Sequence, residues 1–101
     1  MPQTSDSVRE TLGVAVRDLV TGHGGITQRL KDTWSGGLVS AGPYFPWPDL
    51  EGKFRVLSKQ FVFDPATQRY AFESLPLDDQ SQIAADIFNL YIEVKERAGH
   101  Q

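Results

Sequence analysis

Residues 78–97, DDQSQIAADIFNLYIEVKER, form the longest cleanly periodic stretch of the chain, and the remaining segments read as partners for it to pack against. At about 100° per residue, Ile83, Ala84, Ile87, Leu90, Tyr91 and Val94 fall within one arc about 120° wide, the core-facing stripe of a surface helix. Asp86, Asn89, Glu93 and Arg97 lie off that arc. Asp78 or Asp79 suits the helix start, where a carboxylate meets orphan N–H groups and the positive end of the dipole. Leu77 is placed to fold back as a hydrophobic staple. Lys95 and Arg97 suit the last turn, and Gly99 a C-terminal stop.

Two residues depart from the stripe. Phe88 and Ile92 lie one turn apart on another flank, with Ala85 near them. Either the helix is buried on two sides within its own fold, or this flank is an interface with a second chain, as exposed apolar patches on soluble proteins often are.

A chain of 101 residues is expected to fold as a single domain, 1–101, with frayed ends at about 1–5 and 98–101, and to bury a core without metal or disulfide staples. Cysteine is absent, which excludes disulfides, thiolate catalysis and cysteine-ligated zinc or iron–sulfur clusters, and fits a cytoplasmic location. The opening MPQTSDSVRE lacks the basic-then-apolar order of a secretory signal, and no apolar run approaches the ~20 residues that span a bilayer. The net charge of −3 argues against nonspecific binding to nucleic acid or to anionic lipid. Charge is unevenly spread: residues 51–70 carry a local +2 and residues 73–97 a local −4. That asymmetry can orient two copies or a charged partner, and its plainer reading is a solvated surface.

Taken in order, Ser7-Val-Arg-Glu10 matches a capping box, and a helix follows to about Val20 with Val8, Leu12, Ala15, Val16 and Leu19 on its buried stripe. Val14 points elsewhere and is a further candidate for an interface. The glycine-rich Thr21–Gly25 break leads to a second helix at about 26–34, with Ile26, Leu30 and Trp34 aligned, so the first two helices read as an antiparallel hairpin. Three glycines and three prolines make 35–48 a long loop that holds Tyr44, Phe45 and Trp47 between prolines. A third helix is expected at 49–59, capped by Asp49, with Leu50, Phe54 and Leu57 inward. QFVFDPATQRYAFES reads as a short β-hairpin at 60–63 and 69–72 about an Asp64-Pro65 turn; a loop with a short helix at about 69–75 is the alternative.

Few features suggest chemistry. Gly22-His23-Gly24-Gly25 precedes a helix, so the amides of Gly24 and Gly25 with His23 can cradle a small anion or nucleotide phosphate, although the lysine and hydroxyl residue of a Walker loop are missing. The plainer reading is a helix connection. With His23 and His100 the only histidines, nothing implies a metal or a cofactor. No set of catalytic side chains converges in the sequence, so the chain reads as non-enzymatic. Lys53, Arg55, Lys59 and Arg69 do not form a recognition-helix signature for nucleic acid. Tyr44, Phe45 and Trp47 are better candidates, since Tyr and Trp recur at interface hot spots; alternatively they roof the core.

The sequence thus predicts a mainly α, compact antiparallel four-helix fold with a Gly/Pro/aromatic loop at 35–48 and a short hairpin within 60–72. The expected function is a protein–protein interaction module or complex subunit, most simply a homodimer through Phe88 and Ile92. The alternative is an anion- or nucleotide-binding protein using the 22–25 turn.

Overall fold

Three of the four helices begin at, or directly after, a proline or glycine. In this computed structural model, which describes residues 4–22, 24–40 and 45–99, the elements are α1 (Thr4–Thr21), α2 (Ile26–Ser35), α3 (Pro48–Ser58) and α4 (Leu77–Gly99). A two-stranded antiparallel sheet, β1 (Phe63–Asp64) and β2 (Arg69–Tyr70), lies between α3 and α4 in sequence. Short 3₁₀ turns occupy Leu38–Ser40, Lys59–Phe61 and Ala71–Ser74. The fold is mainly α with a small hairpin.

Helix starts differ from expectation for identifiable reasons. α1 begins at Thr4, so Ser7 lies inside the helix and the Ser7–Glu10 pair is not its N-terminal box. Pro48 takes the first helical position of α3, where its missing N–H costs nothing, and Trp47 is the N-cap. Asp49 therefore sits in the first turn with its carboxylate free to pair elsewhere. At α4 the carbonyl of Pro76 accepts from the N–H groups of both Asp79 and Gln80, each at 3.0 Å. Asp78 and Asp79 complement the dipole from the first turn rather than capping it, and Leu77 is exposed, so no staple forms. Between α1 and α2, Gly24 adopts φ +87°, a backbone conformation that side-chain-bearing residues rarely take.

α4 is the element the others share: α1, α2 and α3 all pack against it. Its stripe of Ile83, Ile87, Leu90 and Val94 is buried, as are Val8, Leu12 and Ala15 of α1, Leu30 and Trp34 of α2, and Leu50, Phe54 and Leu57 of α3. Val16, Leu19 and Ile26, expected in the core, are partly buried at its edge. Asp49 pairs with Arg97 and Lys53 with Glu93, so α3 runs antiparallel to α4.

A row of seven rings holds the irregular segments to this frame. Phe45 meets Phe54 (5.2 Å between centroids), Phe54 meets Trp34 (6.1 Å), and Trp34 stacks on Phe61 (4.5 Å, 8° between planes). The row continues from Phe61 to Phe72 (5.2 Å), Tyr70 (5.9 Å) and Phe63 (5.2 Å). Offset and edge contacts of this kind add to the burial energy of each ring. They also explain why the hairpin is shorter than expected. Phe61 and Phe72 enter the core from 3₁₀ turns, leaving a ladder of only Phe63↔Tyr70 and Asp64↔Arg69. Asp64 accepts from the Ala66 N–H at 2.9 Å, the turn that Asp64-Pro65 predicts.

One buried polar side chain closes the packing. Gln80 is 2 % exposed; its carbonyl oxygen accepts from the Thr27 hydroxyl and its amide donates to the Leu75 carbonyl at 3.0 Å. This latch ties the start of α2 to the entry of α4.

Candidate functional site

The residues singled out in the sequence separate into three groups. His23 and Tyr44 lie outside the described residues. Phe45 is 8 % exposed and belongs to the aromatic row, and Trp47 is half-buried against the core, so both of these loop aromatics serve the fold. Gly24 and Gly25 are exposed at the start of α2, where the Gly25 carbonyl accepts from the Arg29 N–H at 3.1 Å. Arg29, the next cation along the chain, reaches back to the Leu19 carbonyl at 3.4 Å, so it is directed to α1 and not to these amides.

Phe88 and Ile92 form the third group. Phe88 is 48 % exposed and Ile92 37 % exposed, and neither belongs to the buried core cluster. Among the described residues, the aromatic row takes seven rings, while Trp47 and Tyr91 pack against the core. Phe88 does neither. Its neighbours along the helix surface follow a regular pattern: Asp78, Ser81, Ala85, Phe88, Ile92 and Lys95 are spaced alternately three and four residues apart. That spacing is the seam of a coiled coil, here small and apolar in the middle, acidic at one end and basic at the other. Asp78 and Lys95 form no ion pair among the described residues.

The opposite flank of α4 carries a feature that sequence reading missed. A groove of about 820 Å³ runs between α3 and α4. Half-buried Leu75 lines it, together with the edges of the core residues Leu57, Ile83 and Leu90. On the α3 side Val56 is 65 % exposed, and Gly52 leaves its rim open, since a Cβ added there meets nothing within 4 Å. On the α4 side stand Asp79, Asp86 and Glu93, two turns apart from one another. The seven-residue repeat of these acids is visible in the sequence; the placement of α3 opposite them, which makes them one wall of a groove, is not.

Ion pairs close one end of the groove. Lys53 contacts Glu93 at 2.7 Å, and Arg97 grips both oxygens of Asp49 at 3.2 and 2.5 Å. The hydrogen bonds from Arg97, aided by its charge and only partly offset by desolvation, hold the Asp49 carboxyl below its ordinary pKa. Because the folded-state value is depressed, this contribution to stability is present above the unfolded-state pKa and is lost as pH falls through the folded one. Arg97→Ala is therefore expected to raise the Asp49 titration midpoint, read by carboxyl NMR. The stability gap between wild type and variant should close in acid; an unmoved midpoint contradicts the pairing.

The described residues offer little else for chemistry. No three histidine or carboxylate side chains among them converge to hold a metal ion, and no helix is long and apolar enough to cross a membrane. No protein-family model matches the chain, and no curated protein or solved structure matches it either.

Proposed function

We propose that this chain is a non-enzymatic protein–protein interaction module that self-associates through the outer seam of α4. The observation that carries the reading is the exposure of Phe88 and Ile92 at the centre of the Asp78–Lys95 row. Two copies of α4 crossing antiparallel set Phe88 over Ala85 of the second copy, Ile92 over Ser81 and Lys95 beside Asp78. A two-fold axis repeats each pair. Large side chains then meet small ones, and opposite charges meet at both ends. Parallel pairing would instead place Asp78 against Asp78 and Lys95 against Lys95, which is repulsive. A seam this short lies at the low end of interface sizes, so the dimer forms in a concentration-dependent way.

Light scattering on a sizing column, across a wide concentration range, tests this. The expected mass rises from 11.3 kDa towards twice that value. Phe88→Ala with Ile92→Ala is expected to leave a monomer with an unchanged helical spectrum. Asp78→Lys and Lys95→Asp should each weaken association by about tenfold at low salt, and their combination should restore it. A strict monomer at every concentration, or a double alanine variant that unfolds while association is unaltered, rejects the reading.

A further inference from the structure

We infer that the groove between α3 and α4 is a second docking site, and that its occupant is a basic amphipathic helix of another protein. The inference stands apart from self-association, since the groove and the Phe88/Ile92 seam are on opposite flanks of α4.

Three observations support it. The first is shape: an open trough of about 820 Å³ runs between two antiparallel helices, and an apolar helix face is the element that fills such a trough. The second is exposed apolar surface that the fold leaves uncovered. Val56 is 65 % exposed where the buried Leu57, Ile83 and Leu90 line the groove, and Gly52 removes the side chain that would otherwise stand at the rim.

The third is charge. Four carboxylates border the groove, those of Asp49, Asp79, Asp86 and Glu93, against the single ammonium of Lys53. Asp49 is held by Arg97, and Lys53 is held by Glu93. The charges left for a partner are Asp79 and Asp86, both exposed and both negative. Asp86 accepts one hydrogen bond, from the Gln82 amide at 2.9 Å, which leaves its charge uncompensated. Seven residues of α-helix separate the two carboxylates by roughly 10 Å along the axis, so lysines or arginines seven apart on a docked helix meet both. Gln82 and Asn89, also bordering the groove, supply amide donors and acceptors between these charges. An acidic or neutral helix would desolvate Asp79 and Asp86 with nothing in return.

The test uses the full chain and a synthetic peptide whose leucines repeat at i, i+3, i+4 and i+7 and whose flanks are lysine and arginine. The control peptide keeps the leucines and replaces every lysine and arginine with glutamate. Amide NMR titration is expected to show the basic peptide shifting Gly52, Val56, Gln82 and Asp86, and the acidic peptide shifting none. Asp79→Asn with Asp86→Asn should weaken binding by about tenfold at low salt, while Asp32→Asn with Glu10→Gln should not. Gly52→Leu places a side chain in open space within the groove and replaces a helix-weakening glycine. It should abolish binding while leaving the melting temperature unchanged or raised. Phe88→Ala with Ile92→Ala should bind the peptide like wild type, so loss of self-association and loss of docking are separable. Absence of binding, equal binding of both peptides, or binding that survives Gly52→Leu overturns the inference. So does a peptide-free protein whose self-association disappears in Gly52→Leu, since the groove's occupant is then a second copy.

Discussion

Trp34→Ala is expected to lower the melting temperature by roughly 12 °C or more, the largest effect of any single truncation in this domain. Trp34 is the ring through which α2 joins the aromatic row, stacked on Phe61 at 4.5 Å and near Phe54 at 6.1 Å. Truncating a buried Trp costs about 3–5 kcal/mol in lost transfer energy and residual cavity. In a domain of this size each kcal/mol is worth about 4–8 °C. The loss also detaches the 3₁₀ turn at Lys59–Phe61, so near-UV circular dichroism should fall more steeply than the helical signal. Phe88→Ala, by contrast, removes a ring that is 48 % exposed and outside the core, and should cost the monomer about 1 kcal/mol or less. Equal losses for the two variants in thermal denaturation would mean that Trp34 does not bridge the core.

The second large effect is expected at Gln80. Gln80→Leu keeps the volume but leaves the Thr27 hydroxyl and the Leu75 carbonyl without their partner. An unsatisfied buried polar group costs about 1–3 kcal/mol, so a loss of about 2–3 kcal/mol is expected in urea denaturation. Thr27→Val alone strands only one end of Gln80 and should cost less. The double variant, with the Thr27–Gln80 pair replaced by two apolar groups, should be more stable than the sum of the single losses implies. Strict additivity would show that water satisfies both groups and that the latch is not structural.

Gln80 also illustrates what could be read from the sequence and what could not. A helix register drawn from Ile83 places position 80 on the inward arc, yet a glutamine there gives no sign of which partner it needs. Thr27 lies in a different helix and is joined to it only by the packing of α2 against α4. The periodic residues were legible because their signal is local: Leu12, Leu30, Leu50, Phe54, Ile87 and Val94 are buried where their spacing places them. Leu38, Phe45, Phe61 and Phe72 are also buried, but they sit in 3₁₀ or irregular segments where no period marks the inward side. The Asp49 and Asp78–Asp79 caps failed for one shared reason: Pro48 and Pro76 set the helix starts, moving the carboxylates one or more positions inward. Of the candidate surfaces, the exposure of Phe88 and Ile92 followed from their place off the stripe. The acidic groove did not, because Asp79 and Asp86 become a wall only against Val56 and Gly52, residues that carry no pattern of their own.

The reliance of α1, α2 and α3 on α4 has a consequence in time. A ribosome adds about 5–20 residues per second, so the interval between synthesis of Leu12 and of Val94 is on the order of ten seconds. From the completion of each of the first three helices until α4 follows, its inward face lacks the surface that α4 supplies. Nascent chains of this protein therefore pass through a stage with open apolar stripes whose length is set by elongation rate, and rare codons or a stall ahead of residue 83 would prolong it. The element that organises the finished domain is the last of its four helices to emerge, so the core closes only once translation reaches the end of α4.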